Sequence, residues 1–153
     1  KRKFRKEKEI KNQEVKMKSL ITVEADVSSS LEKVWKYWTE PTHIIHWNFA
    51  SDDWCAPRAS NDLVKGGKFS FRMEAKDGSF GFDLEGTYNT IDKGKRIEYT
   101  MTDGRKVQVL FSTEHGKTKV VESFEAESEN SEELQRSGWQ AILNNFKKYA
   151  ESN

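Results

Sequence analysis

Apolar and polar positions alternate along much of this chain. Such alternation is typical of β-strands that bury one face. It occurs first in residues 20–27, and from about residue 56 onward it returns in stretches separated by turn residues, among them Asp77-Gly78 and Asp103-Gly104. Asp-Gly pairs between alternating stretches favour tight hairpin turns. The pattern therefore predicts one early strand and later a run of antiparallel hairpins.

Apolar residues recur at helical spacing directly after the first predicted strand. The residues of this series are Leu31, Val34, Trp35 and Trp38. Ser28, Ser29 and Ser30 offer caps at its start, and Glu32, three residues after Ser29, completes a capping-box pattern. Pro41 is expected to end this helix, and Thr42 is expected to cap a further short turn. The sequence thus predicts short helices between the first strand and the hairpins.

The C-terminal segment shows the same helical spacing over a greater length. Its apolar series consists of Leu134, Gly138, Trp139, Ile142, Phe146, Tyr149 and Ala150. Asn130, with Glu133 three residues later, forms a second capping signal. We expect a helix of about five turns with one broad apolar face. Gly138 would leave room beside Trp139 for a ligand or for close packing.

The order of these elements predicts an α+β fold. An antiparallel sheet can bury one face and leave the other in water. The long C-terminal helix is the only predicted element large enough to cover the apolar face. Gly86, inside a predicted strand, is expected to mark a bulge or bend. We therefore predict a curved antiparallel sheet around the C-terminal helix.

Charge is distributed unevenly along the 153 residues, although the formal net charge is only +1. Nine of the 26 Lys and Arg and three of the 25 Asp and Glu lie in residues 1–18, which gives this part +6 and the remainder −5. We interpret residues 1–16 as a basic leader, either helical or a cloning remnant, and residues 17–153 as a single domain. A body of net negative charge would repel phosphate, so nucleic-acid binding is not expected.

Composition excludes several further classes of protein. A single cysteine rules out an internal disulfide and fits a reducing compartment. No stretch has the apolar length of a membrane span, and no secretory signal follows the basic residues. We therefore expect a cytoplasmic location, with the possibility of a homodimer left open.

Residues 43–57, HIIHWNFASDDWCAP, concentrate the most reactive side chains of the chain. His43, His46 and Cys55, with Asp52 or Asp53, offer ligand types that zinc accepts, but their spacing matches no standard zinc pattern. Cys55 with His46 as its base would be a nucleophile only under a geometry that the sequence does not specify. We predict neither a metal site nor a cofactor, and the catalytic residues stay unassigned.

Aromatic residues are a better clue, because they make up 12% of the chain. Trp47 and Trp54 lie in an irregular segment with polar neighbours, which favours a pocket wall over pure core. Glu122 shares a strand face with Val120 and Phe124. If those two point inward, Glu122 is buried and must be protonated, paired with a cation or directed into a wet cavity, unless a bulge turns it outward. Arg72 and Arg96 are its candidate partners.

Several motifs together resemble a known family. They are VSSSLEKVWKYWTEP, the tryptophans of HWNFASDDW, GGKFSFRMEAKDGS, GTYNTIDKGKRIEYTM, and QRSGWQAIL followed by NNFKKY. From about Lys18 to Ser152 the chain is similar to single-domain proteins related to the C-terminal domain of the activator of the Hsp90 ATPase. The resemblance implies the START-like, polyketide-cyclase-like superfamily and its helix-grip fold, with a pocket between the sheet and the C-terminal helix. It does not by itself transfer a chaperone partner.

These observations predict a protein that binds a small apolar or aromatic molecule in that pocket. The pocket candidates are His43, His46, Trp47, Trp54, Phe71, Met73, Phe82, Tyr99, Glu122, Trp139 and Ile142. Either His43 or His46 would orient the ligand by a hydrogen bond. One alternative is a cyclase- or hydrolase-type enzyme in which Glu122 or a histidine acts as general acid or base. Another is a chaperone-associated interaction module with an exposed apolar patch.

Overall fold

A computed structural model describes residues 20–153 of the chain. The interpretation of residues 1–16 as a basic leader, and the start proposed for the domain, lie outside the described residues. The described part begins with a strand, β1 (Leu20–Val27), followed by two helices, α1 (Leu31–Thr39) and α2 (Pro41–Ile44). It ends with one long helix, α3 (Glu132–Ser152). The predicted order of elements is confirmed.

Seven strands lie between α2 and α3. They are β2 (Trp54–Cys55), β3 (Ala59–Asn61), β4 (Lys68–Ala75), β5 (Gly81–Asp92), β6 (Arg96–Met101), β7 (Lys106–Glu114) and β8 (Lys117–Glu125). Together with β1 they form one antiparallel sheet in the order β1-β8-β7-β6-β5-β4-β2, while β3 also pairs with β4. This curled sheet around α3 confirms the predicted α+β helix-grip architecture.

The sheet buries one face because apolar residues alternate with polar ones along its strands. In β1, Ile21, Val23, Ala25 and Val27 are buried, and every residue between them is exposed. In β8, Val120, Glu122 and Phe124 are buried in the same alternation. α3 covers part of this concave face with Leu143, Phe146 and Ala150, all of which are fully buried. The C-terminal helix therefore packs against the concave face of the sheet, as predicted.

The helices α1 and α3 are both capped by serines. Ser30, one of the three serines predicted as caps, caps α1, and its Oγ accepts a hydrogen bond from the Lys33 N–H at 3.2 Å. Ser131, not Asn130, caps α3 through the Leu134 N–H at 3.1 Å. Each serine lies one residue after the residue that the capping-box pattern marks, and each has the extended backbone that a cap requires. A capping-box pattern marks a helix start only to within about a residue.

The first helix ends just before Pro41, as expected, whereas the expectation for Thr42 is corrected. α1 ends at Thr39, and Pro41 is the first residue of α2, a position where its missing N–H costs nothing. Glu40 takes the capping position of α2 without a side-chain hydrogen bond, so Thr42 does not cap it. Pro41 thus separates the two helices by starting the second.

Leu134 and Gly86 are two further corrections. Leu134 is 60% exposed, because it lies in the first turn of α3 away from the sheet, whereas Leu143, outside the predicted series, is fully buried. The irregularity of β5 lies between Tyr88 and Thr90, not at Gly86. At Gly86 a Cβ would come within 2.7 Å of the Phe69 ring. Glycine is required there by close packing.

Candidate functional site

A cavity of about 300 Å³ lies between the concave face of the sheet and α3. This volume is at the lower end of the range typical of small-molecule sites. Eight of the eleven predicted pocket residues lie on its wall: Trp47, Phe71, Met73, Phe82, Tyr99, Glu122, Trp139 and Ile142. The wall is mainly aromatic and aliphatic, so its chemistry suits an apolar molecule. That any of these residues contacts a ligand stays a prediction.

The hairpin of β4 and β5 supplies the largest apolar part of the wall. Phe69, Phe71 and Met73 alternate along β4, so all three point to the concave face. On β5, Leu84 lies opposite Phe71, and Phe82 lies opposite Met73. Residues paired across antiparallel strands project to the same face. The register of this hairpin therefore assembles a continuous apolar surface from residues that the period-two pattern already placed inward.

The opposite wall comes from α3 and from the segment after α2. Trp139 and Ile142 lie on successive turns of α3 and face the sheet. Trp47 is 4% exposed and packs against Trp38 with ring centroids 4.9 Å apart. The Trp47 indole N–H donates to the Tyr37 carbonyl oxygen at 3.0 Å. Because that N–H is already bonded, Trp47 offers the cavity an apolar surface.

Glu122 is the acidic group buried in this wall. It is 7% exposed, because Val120 and Phe124 on either side of it also face inward. Burial raises the pKa of Glu122 from its usual value to about 8. The carboxyl group is therefore mostly protonated at neutral pH, and a protonated carboxyl group can donate a hydrogen bond. The sequence-based expectation of an inward-facing Glu122 agrees with this position.

The two arginines considered as partners of Glu122 lie elsewhere. Arg72 pairs with Glu74 at 2.9 Å and with Asp83 at 3.5 Å. Arg96 pairs with Glu98 at 3.8 Å. Both follow the alternation of their strands onto the convex face, opposite the cavity. Neither candidate arginine pairs with Glu122. Burial instead favours the protonated, uncharged form of its carboxyl group.

Tyr99 is a further titratable residue of the cavity wall. Burial, and then the nearby charge of Glu122, raise the pKa of Tyr99 well above its usual value.

A polar cluster lies at one end of the cavity. The Gln135 amide donates there to the carbonyl oxygens of Glu127 and Asn130 at 3.0 and 2.9 Å. Arg105 lies at the same end, and its Nε donates to Asp103 at 2.8 Å. This end adds further polar side chains to Glu122 and Asn48, which also line the cavity.

Asn48 is the one wall residue with an unsatisfied buried nitrogen among residues 20–153. It is 6% exposed, and its Nδ2 has no hydrogen-bond partner there. A buried donor left unpaired costs about 1–3 kcal/mol. Among residues 20–153, Asn48 thus contributes an unpaired buried donor to the cavity wall.

The family model for Activator of Hsp90 ATPase homolog 1-like protein matches residues 28–151. The chain belongs to this family. The structure is also similar to that of an AHSA1-like protein from Aeromonas hydrophila, at 44% identity with a TM-score of 0.82, over 87% of this chain and 92% of that one. A protein from Cytophaga hutchinsonii is 52% identical with a TM-score of 0.77, over 88% and 94% of the two chains. No curated protein matches the sequence.

More distant structures share the fold of the Activator of Hsp90 ATPase homolog 1-like family. A protein from Chromobacterium violaceum has a TM-score of 0.78 at 17% identity, over 88% of this chain and 99% of that one. At this identity the likeness shows the fold alone. The resemblance predicted from the sequence is confirmed.

Three predicted pocket residues of this family member do not line the cavity. His43 Nδ1 lies 2.7 Å from the Tyr149 hydroxyl, and its ring stacks on Tyr37 with centroids 4.2 Å apart. Burial lowers the pKa of His43, which favours the neutral ring. His46 is exposed and stacks on Tyr149 at 5.8 Å. Both histidines lie against the last turns of α3, since α2 turns them outward from the sheet.

Trp54 is the third residue outside the cavity wall. It packs against Phe80 and Phe82, each with ring centroids 6.1 Å away. Cys55 follows it in β2 opposite Glu74, so Cys55 projects to the other face of the sheet.

Among the described residues, no group of three or more His, Cys, Asp and Glu side chains is arranged to hold a metal ion. None of the helices in residues 20–153 is long and apolar enough to cross a membrane.

Eleven wall residues were not predicted from the sequence: Trp38, Asn48, Phe69, Leu84, Tyr88, Ile97, Met101, Arg105, Glu127, Asn130 and Gln135. Ile97 and Met101 share the face of Tyr99 on β6, so the period-two pattern already pointed to them. The polar residues gave no such signal, because they come from a turn and from the start of α3. Their position depends on how the helix meets the sheet.

Proposed function

We propose that this protein binds a small apolar or aromatic molecule in the cavity between the sheet and α3. The observation that carries the proposal is the aromatic and aliphatic wall, in which Glu122 is buried without a cationic partner among residues 20–153. An apolar molecule there would remove the exposed surface of rings such as Trp139 from water. The protonated Glu122 would orient it by donating a hydrogen bond.

The test uses the neutral fluorescent probe N-phenyl-1-naphthylamine with the purified full chain. We expect its emission to rise on binding and Ile142→Trp, which fills the cavity, to weaken binding at least tenfold. Leu134→Trp is the matched control, because it adds the same ring to the same helix at an exposed position. Near-ultraviolet circular dichroism checks that each variant is folded, and Leu84→Trp is a second way to fill the cavity. Equal binding by the wild type and both cavity-filled variants would contradict the proposal.

The pKa of Glu122 favours one second candidate, a cyclase- or hydrolase-type enzyme. A carboxylic acid with a pKa of about 8 is suited to general acid or base catalysis near neutral pH. The test is hydrolysis of p-nitrophenyl butyrate as a function of pH. An enzyme would show a rate inflection near pH 8 that Glu122→Gln abolishes. If the wild type and Glu122→Gln hydrolyse the ester at equal rates at every pH, the enzyme hypothesis is wrong and binding alone remains the proposed function.

The remaining expectations concern location and partners. The lone cysteine supports a reducing compartment, for which we propose the cytoplasm. We do not propose nucleic acid or a chaperone as the partner of the cavity, because its interior is apolar and small. A homodimer stays open, and size-exclusion chromatography with light scattering would decide it by mass.

A further inference from the structure

A group of three aromatic side chains lies beside the cavity; two of them are exposed, and the third, Trp54, is half-buried. Trp54 packs against Phe80 and Phe82, and the centroids of Phe80 and Phe82 are 6.3 Å apart. Phe80 is 63% exposed and Phe82 40% exposed. We call these three residues the aromatic shelf. A cluster of large exposed rings on a small protein marks an interaction site more often than scattered single residues do.

The aromatic shelf lies on the same face of the sheet as the cavity. Trp54 is paired with Ala75, and the Ala75 N–H donates to the Phe80 carbonyl oxygen at 2.9 Å. Two residues earlier on β4, Met73 is paired with Phe82 and lines the cavity. Residues two apart on a strand share a face. The shelf therefore extends the cavity wall past the part of the sheet that α3 covers.

Phe82 makes the two surfaces continuous. It is a wall residue of the cavity and also a member of the aromatic shelf. Glu122 lies on β8, three strands away from β5 in the sheet order. Neighbouring strands are about 4.8 Å apart, so β8 and β5 are roughly 14 Å apart measured along the curled sheet. Phe82 and Glu122 both line the cavity, whereas Phe80 and Trp54 lie outside its wall. A molecule that contacts Glu122 and also reaches these two rings must therefore extend beyond the cavity.

The opposite face of the same hairpin is strongly polar. Arg72 lies there between Glu74 and Asp83. Gly81 keeps space for this guanidinium group, since a Cβ at Gly81 would lie 2.6 Å from an Arg72 nitrogen. The hairpin thus separates charged from aromatic side chains completely by face. The exposed rings occur on the side that leads into the cavity.

We propose that the aromatic shelf is a second subsite, which holds the apolar tail of an elongated ligand whose polar head lies beside Glu122. The inference rests on the proposed function, because it assigns both parts to one bound molecule. The head is a neutral group that accepts a hydrogen bond, such as a carbonyl oxygen, since the wall offers it the Glu122 carboxyl proton. The tail is a single hydrocarbon chain, because the shelf consists of three rings and the charged residues Arg72, Glu74 and Asp83 lie on the opposite face of the hairpin.

The test uses a series of 2-alkanones of increasing chain length, measured by displacement of N-phenyl-1-naphthylamine. We expect wild-type affinity to rise about fourfold per added CH₂ as each one is buried. Phe80→Ala should leave 2-octanone binding unchanged and weaken 2-hexadecanone binding about tenfold. Trp54→Ala should act in the same way. Leu110→Ala is the matched control, because it removes an exposed apolar side chain from the convex face.

The outcomes separate the two proposals. If neither the probe nor any ketone binds, the proposed function fails and the second subsite fails with it. If short ketones bind but Phe80→Ala and Trp54→Ala leave the affinity for 2-hexadecanone unchanged, only the second subsite is overturned. A third outcome is that the wild type binds phosphatidylcholine vesicles, that Phe80→Ala abolishes this binding, and that ketone affinity does not depend on chain length. This outcome would assign the shelf to a lipid surface and would also overturn the second subsite.

Discussion

The rings of Phe124 and Trp139 stack with their centroids 3.9 Å apart and their planes 10° apart. Phe124 is fully buried on β8, and Trp139 belongs to α3 and to the cavity wall. The contact joins the strand that carries Glu122 to the helix that closes the cavity. It also fixes the Trp139 ring in one orientation, so the wall is rigid at this point.

This stacking predicts an energetic coupling between the two rings. In a double-mutant cycle with Phe124→Leu and Trp139→Leu, we expect an interaction free energy of about 0.5–1.5 kcal/mol beyond the loss of buried area. Urea unfolding measures it. Phe124→Leu combined with Trp54→Leu is the control, since Trp54 packs against other rings and the two effects should add. A Phe124–Trp139 cycle that is additive within about 0.3 kcal/mol would contradict the prediction.

The raised pKa of Glu122 predicts a loss of stability as the pH rises. The carboxyl group has a pKa of about 8 in the folded chain and about 4.5 in the unfolded chain, so the folded state binds more protons between these values. The free energy of unfolding therefore falls from pH 4.5 to pH 8. The full effect is roughly 3–5 kcal/mol, because one pKa unit corresponds to about 1.4 kcal/mol.

Glu122→Gln isolates this effect, because glutamine keeps the shape but does not titrate. The unfolding free energy of Glu122→Gln minus that of the wild type should be roughly 3–5 kcal/mol larger at pH 9 than at pH 5. Tyr99 also faces Glu122, but its own raised pKa keeps it neutral over this range. Denaturant unfolding at several pH values measures this difference. If the unfolding free energies of the two proteins change with pH in parallel, Glu122 is not protonated in the folded chain.

Gly86 and Gly138 make opposite predictions for the same substitution. A Cβ at Gly86 would lie 2.7 Å from both the Phe69 ring and the Thr100 carbonyl oxygen, and that backbone atom cannot move aside. Gly86→Ala should lower the free energy of unfolding by about 1–3 kcal/mol.

Gly138 lies inside α3 with open space around its Cβ position. Gly138→Ala should therefore raise the free energy of unfolding by about 0.5–1 kcal/mol, because glycine is a poor helix residue. Thermal unfolding of both variants checks this, and destabilisation by Gly138→Ala would show hidden close packing.

Much of the fold was predictable because local patterns determine it. Alternation located β1, β4 and β8, and helical spacing located α1 and α3, without knowledge of their partners. The same alternation placed Glu122 and Phe71 on the concave face. These positions depend only on the two-residue period of a strand, which the sequence shows directly.

The site was less predictable where it depends on how separate elements meet. His43 lies in the short helix α2 and His46 in the turn after it, and their sequence neighbours do not reveal that both side chains lie against Tyr149. Arg105 and Gln135 reach the cavity only because the β6–β7 turn and the start of α3 come together. Trp54 was predicted to line the pocket but lies outside its wall, since the sequence does not show where the cavity ends.

The strand order also has a consequence for the assembly of the chain. Strands β4 to β8 pair with their neighbours along the sequence, whereas β1 pairs with β8, and Leu20 lies opposite Glu125. Joining such distant segments costs loop-closure entropy, so we expect the local hairpins to form before β1 pairs with β8. Because α3 packs against β1, we expect the cavity to be completed only in that late step. A molecule bound there would then stabilise the contacts that form last.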